Sequence, residues 1–257
     1  MGTQRPGRQG LERGKDGVRI LRHPTSTLSN PSLSIKTVSD EPVTSSRASA
    51  ITWTGLFLSL FGVVIIRQAF RFFTPDMPVT AVACRETLIW LIAAVLLFLV
   101  RRGEGLPFRS IGLGTSPWWK SILWGFVIAV VCSAFAVLLI KLTGYGHGPG
   151  AAALEKLPLG LVTMIVLRAG VVEELFYRGY AIERLQSLGF GRFLSAALPL
   201  VIFGFAHWTG GAANILIALV LGAILASFYL WRRDLVANMI GHFLVDFVGN
   251  VLPRLFA

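Results

Sequence analysis

Eight polar side chains interrupt otherwise apolar stretches in the second half of this chain: Arg168, Glu173, Glu174, Arg178, His207, His242, Asp246 and Asn250. A charge in the middle of a bilayer costs roughly 2.5–3.5 kcal/mol on insertion scales, so such residues persist where they pair, line a cavity or do chemistry. Glu174 and Arg178 are four apart and share a helix face, where they can neutralise each other. Glu173 is turned about 100° away, which leaves one acid committed to structure and one free. Phe203 stands one turn before His207 and can pack on its ring. His242 and Asp246 repeat that spacing with a carboxylate, which can accept from one ring nitrogen, set the tautomer and free the other. Asn250 continues the stripe. Amide hydrolysis needs an activated water, a donor for the developing oxyanion and a proton for the leaving amine, and this set holds groups for each task. A helix-end ion pair and a polar stripe between helices are the plain structural alternatives. Two His and one Glu (Glu173, His207, His242) could instead form a three-ligand zinc site with an open position. No Ser-His-Asp or Cys-His grouping, G-x-S-x-G elbow or H-E-x-x-H helix competes.

The elements that must carry these residues are membrane helices. The chain has 257 residues, 54% hydrophobic and only 14% charged, with a mean hydropathy of +0.68. A soluble domain carries roughly 25% charged residues, so an ordinary soluble enzyme and a disordered chain are both disfavoured. Apolar runs of spanning length fall at 51–72, 79–100, 118–140, 158–180, 193–209, 212–231 and 235–256. They predict an all-α, polytopic membrane bundle with seven to eight transmembrane helices, the eighth being a half-span or interfacial helix near 105–120. Residues 51–257 form the transmembrane domain. Residues 1–50, polar and with eight Lys/Arg, read as a disordered basic tail, with no apolar stretch near Met1 to suggest a usual secretory signal. Cys84 and Cys132 define no disulfide framework.

With these helices in place, the chain resembles the CPBP family of intramembrane endopeptidases. The resemblance rests on Glu173-Glu174-x-x-x-Arg178, Phe203-x-x-x-His207 and His242-x-x-x-Asp246, in that order on three late spans, and covers about residues 158–250. The family includes the type II CAAX prenyl proteases and bacteriocin-processing and immunity-type relatives. The resemblance implies that Glu173, helped by His207, activates water, and that His242 and the residue at 246 stabilise the oxyanion. Glu174, Arg178, Phe203 and Asn250 then support them. It implies a metal-free, glutamate-dependent mechanism, with zinc as the alternative. The substrate would be a protein or peptide at the membrane, possibly prenylated, reaching the site from the cytoplasmic side or laterally. At 246 the prenyl-protease branch typically has Asn, and an ionised Asp cannot donate to an oxyanion. Two other classes are weighed against this one. A proton-coupled transporter would use the same acids and imidazoles as a relay, but no internal repeat of the transporter kind is visible. A catalytically silent immunity or scaffold member would keep the fold without turnover.

The net charge of +11 reads as membrane topology rather than nucleic-acid binding. With the N-terminal tail in the cytoplasm, seventeen Lys/Arg fall on that side and six on the other. At about 1.5 Å per residue, Glu173 and His242 would lie roughly 10–12 Å from the cytoplasmic edge and His207 roughly 21 Å. Tilt, or a fourth helix reaching about Gln186, would absorb that mismatch.

Overall fold

The computed structural model describes residues 1–2, 44–145 and 154–256. The expected tail lies largely outside these residues. The described residues from 44 onward are helical apart from connections, with no strand among them. Seven helices follow in order. They are α1 (Thr44–Phe73), α2 (Val79–Phe98), α3 (Trp118–Thr143), a composite α4, α5 (Arg192–Phe205), α6 (Gly211–Arg232) and α7 (Leu235–Asn250). α4 runs through Leu159–Arg168, a π-helical stretch Ala169–Ile182, and Glu183–Ser187. α1 begins at Thr44, six residues before the expected end of the tail.

Proline sets three helix starts. Pro78, Pro117 and Pro158 sit extended just before α2, α3 and α4, where a fixed φ and a missing N–H cost nothing. Gly144 ends α3 in the left-handed region, at φ 67°, which glycine adopts without strain.

Four stretches are long and apolar enough to cross a membrane: Ala50–Phe73, Val79–Gly103, Trp118–Thr143 and Trp208–Arg232. They coincide with four of the seven expected spans. α5 and α7 are shorter apolar helices of 14 and 16 residues, and α4 carries the buried charges. Beyond a π-helical turn, Leu99–Gly103, that extends α2, the connection to α3 holds a 3-10 turn, Phe108–Ile111, where an eighth span or interfacial helix was expected.

Large apolar side chains point outward from the long helices, including Phe57, Leu91, Phe126 and Val130. A helix apolar on its outer face suits lipid. α4 is the central helix: every residue of Ala169–Ile182 except Val171 is buried. Small residues bring its neighbours close. A Cβ on Gly170 would lie 2.8 Å from the backbone nitrogen of Phe243, so α4 and α7 touch there. Gly125 and Gly241 receive Ile240 and Ile128 and seat α7 on α3.

The short α7 has a structural explanation. Its first residues are recessed: Asp234, Leu235 and Ala237 are buried. The connection after α2 folds over that end, where the Gly112 carbonyl accepts from Leu235 N–H at 3.1 Å. Asp234 caps α7 by accepting from Ala237 N–H at 3.1 Å and from Ser121 Oγ at 2.8 Å. Because α7 starts inside the bundle, its 16 residues begin below that end's surface.

Candidate active site

α4 carries both glutamates. Arg168 is the last residue before the π-helical stretch, and its side chain reaches five residues along: Arg168 Nη1 donates to Glu173 Oε1 at 2.5 Å. The same guanidinium donates from Nε to Glu86 Oε2 on α2 at 2.8 Å. Glu86 in turn accepts from Arg85 at 2.8 and 2.9 Å through its other oxygen. Arg168, for which the sequence offered only the role of counter-charge to one of the acids, takes that role with Glu173 and also ties α4 to α2. This corrects the expectation that Glu173 is an uncommitted carboxylate. One of its oxygens is held, and the other takes no hydrogen bond from the described residues.

Glu174 pairs with Arg178 as the spacing predicts, at 2.7 Å with both side chains buried. Arg178 also donates to the Gly222 carbonyl at 3.2 Å, and its guanidinium lies 4.5 Å from the Phe203 ring centre. Glu174 has two further partners: His242 Nδ1 at 2.7 Å and Asn238 Nδ2 at 3.1 Å. A carboxylate accepts, so Nδ1 of His242 carries the proton. Asp246 Oδ2 lies 3.6 Å from Nε2, beyond a direct hydrogen bond. The group that orients His242 is thus Glu174, not Asp246 as the i,i+4 spacing suggested. Asn250 is also differently employed: its amide donates to the Asp246 carbonyl at 2.9 Å and closes the last turn of α7.

His207 lies at the turn between α5 and α6. Its Nδ1 is 2.8 Å from the Phe203 carbonyl, which can only accept, so Nε2 is left with its lone pair. Phe203 packs on this ring at 4.8 Å, as expected, and meets His242 edge-on at 6.4 Å. One phenyl ring thus spaces the two imidazoles. Glu173 lies within Coulombic range of His207, His242 and Arg67, and Asp246 within range of His242, Glu173 and His207.

These groups gather away from the end where α1 begins. Arg67 and Glu86 flank the α1–α2 turn, His207 sits at the α5–α6 turn, and Asp246 is one turn from the end of α7. The expected depth of Glu173 is corrected accordingly. α4 continues to Ser187, which puts Glu173 roughly 21 Å from that end at about 1.5 Å per residue, level with His207.

Among the described residues, no three of His, Cys, Asp and Glu form a group that could hold a metal ion. Glu173 Oε1 is held by Arg168, and the Nδ1 atoms of His207 and His242 are taken by Phe203 and Glu174. The alternative zinc set Glu173, His207, His242 is not gathered into such a group, although Glu173 Oε2 and Nε2 of both imidazoles keep free lone pairs. Two contributors went unread in the sequence. Asn238 stands one turn before His242 on the same stripe, a spacing that could have revealed it. Glu86 is the lone acid of an apolar span, a signal of the same kind as the other eight.

Residues 155–248 match the model of the Rce1-like family, type II CAAX prenyl endopeptidase. No curated protein and no solved structure matches the chain. The matched segment spans α4 through most of α7 and includes Arg168, Glu173, Glu174, Arg178, His207, His242 and Asp246. The Rce1-like match supports a CAAX-type protease, and with the four apolar helices it supports an integral membrane protein.

Proposed function

We propose that the chain is an intramembrane endopeptidase in which Glu173 and His207 activate water and His242 with Asp246 stabilises the oxyanion. The observation that carries this reading is the gathering of one acid and two imidazoles, from α4, the α5–α6 turn and α7, inside the segment that matches a protease family. Glu173 takes a proton from water as its oxygen bonds the scissile carbonyl carbon; His207 Nε2 accepts a second hydrogen bond from that water and orients it. The carbonyl oxygen gains charge beside His242 Nε2. Donation from that nitrogen requires the imidazolium, for which Glu174 and Asp246 are the counter-charges. As the C–N bond breaks, Glu173 returns its proton to the departing amine.

The substrate is a protein or peptide at the membrane, and a prenylated CAAX end is the form the family match favours. The bundle crosses the bilayer seven times, with α4, α5 and α7 completing the four long spans. The basic asymmetry puts the start of α1 in the cytoplasm. The site then lies in the half of the bundle away from the cytoplasm, so lateral access is the route in keeping with the arrangement. An apolar groove of about 270 Å³ between α1 and α5 is lined by Phe61, Val64, Val201, Ile202, Phe205 and Ala206, the last of which precedes His207 in the chain.

The test is cleavage of a prenylated peptide ending in a CAAX tetrapeptide by purified protein in lipid nanodiscs. Glu173→Gln and His207→Ala are each expected to lower kcat at least about a hundredfold in protein that elutes and melts like wild type. Retained turnover in either variant refutes the assignment.

A further inference from the structure

Arg67 of α1 is half-buried and makes no hydrogen bond or ion pair among the described residues. Its surroundings are charged. Glu173, Glu86, Arg85 and Arg168 all lie within Coulombic range. The two carboxylates are already served, Glu86 by Arg85 and Arg168, and Glu173 by Arg168. Asp246, the third acid of the site, lies within range of Arg168, and of the three arginines Arg67 is the one without a direct partner among the described residues. Arg67 also lies within Coulombic range of His207, and one turn on, the Arg71 guanidinium lies 5.8 Å from the ring centre of Trp208, the residue after His207. Arg67, four residues earlier on the same face, looks toward the α5–α6 turn one turn deeper. Val64, three residues before Arg67, lines the apolar groove described above.

A guanidinium without a direct partner at membrane depth is costly unless something pairs with it. Its planar fork matches a carboxylate. Deepening the peptidase reading, on which this step rests, we propose that Arg67 receives a carboxylate of the substrate. A chain arriving with its apolar part between α1 and α5 would then set that carboxylate beside Glu173. The carboxylate can come from the peptide's C-terminus or from an acidic side chain.

Binding and cleavage together test this. Three prenylated CAAX peptides are compared: one with a free C-terminal carboxylate, one amidated, and one amidated but with Glu at the last position. Binding is measured on Glu173→Gln protein, where turnover plays no part. The free acid is expected to bind about tenfold or more tighter than the amide. Adding Arg67→Gln removes that preference and leaves the amide's Kd unchanged, and Arg67→Lys keeps only part of it. The Glu-containing amide identifies the source: acid-like binding assigns a side-chain carboxylate, amide-like binding the C-terminus. Equal binding of acid and amide overturns the proposal, as does an Arg67 variant that weakens both equally. If Arg67→Gln does not fold, an Arg67→Lys variant with undiminished preference for the acid overturns it instead. Failure of wild-type protein to cleave any of the three peptides counts against the peptidase reading and is read separately from binding.

Discussion

At the scale of single residues, the adjacent glutamates are divided by their partners. Glu173 is shared with Arg168, while Glu174 holds Arg178, His242 and Asn238 at once. Removing Glu174 leaves Arg178 buried without a counter-charge, a kind of loss worth about 3–5 kcal/mol. Glu174→Ala is therefore expected to show a large fall in Tm in detergent. Glu174→Gln still accepts from Arg178 but gives His242 a neutral neighbour. It should melt closer to wild type and lose kcat with KM nearly unchanged, and a Glu174→Gln protein of full kcat would show that His242 needs no charge from α4. His242→Ala, by loss of an oxyanion donor, is expected to cost about 10²–10³ in kcat. The pairing of Glu174 with Arg178 and the stacking of Phe203 on His207 were both legible, because each is set by four-residue spacing on one helix. The Arg168–Glu86 contact was not, since its members are 82 residues apart and no local pattern joins them.

At the scale of elements, α4 and α7 meet backbone to backbone. Gly170 permits that approach, and it lies three residues before Glu173, while Phe243, which it meets, follows His242. A side chain at 170 must push α7 away, so Gly170→Val should separate the acid from the imidazole. The expected outcome is protein that still inserts but has lost most of its turnover, checked by kcat in nanodiscs beside membrane yield. Gly160→Ala is the matched control. It lies on the same helix with nothing within 4 Å of an added Cβ, and alanine is the better helix former, so activity and Tm should hold. The existence of these helices was plain from apolar runs bounded by Pro and Gly. Their lengths were less plain. α4 continues past the expected boundary near 180 because Glu183 and Arg184 find partners inside the protein, in Tyr229, Arg233 and Glu104. Hydropathy counts such residues as solvated and ends the span too early.

At the scale of the whole bundle, the two ends differ in what they ask of charge. The end where α1 begins is closed by a network: Glu104 accepts from Thr52, Tyr180 and Arg184, and Thr115 Oγ1 donates to the Arg233 carbonyl. Hydrogen bonds from Arg233 to Glu183 hold that guanidinium's pKa above its ordinary value. Trp118, Trp119 and Trp231 stand exposed at this end, with Lys120 over Trp119 and Arg232 over Trp124 and Trp231. Aromatic rings with snorkelling cations mark a membrane–water interface. The opposite end spends Arg85 and Arg168 on the acids of the site, so basic residues there report chemistry as well as topology. A count of Lys and Arg along the sequence weighs both kinds equally and blurs the asymmetry. If the N-terminal side is cytoplasmic, a cysteine at exposed Arg102 should react with an impermeant maleimide only from the cytoplasmic side. One at exposed Asp76, in the α1–α2 turn, should react only from the other side. Cys84 is itself exposed and Cys132 buried, so the measurement belongs in a Cys84→Ser background, on sealed vesicles of both orientations. The reverse pattern would put the start of α1 outside and turn the site toward the cytoplasm. The groups that meet around Glu173 would stay the same, and the compartment from which a water-soluble part of the substrate reaches them would change.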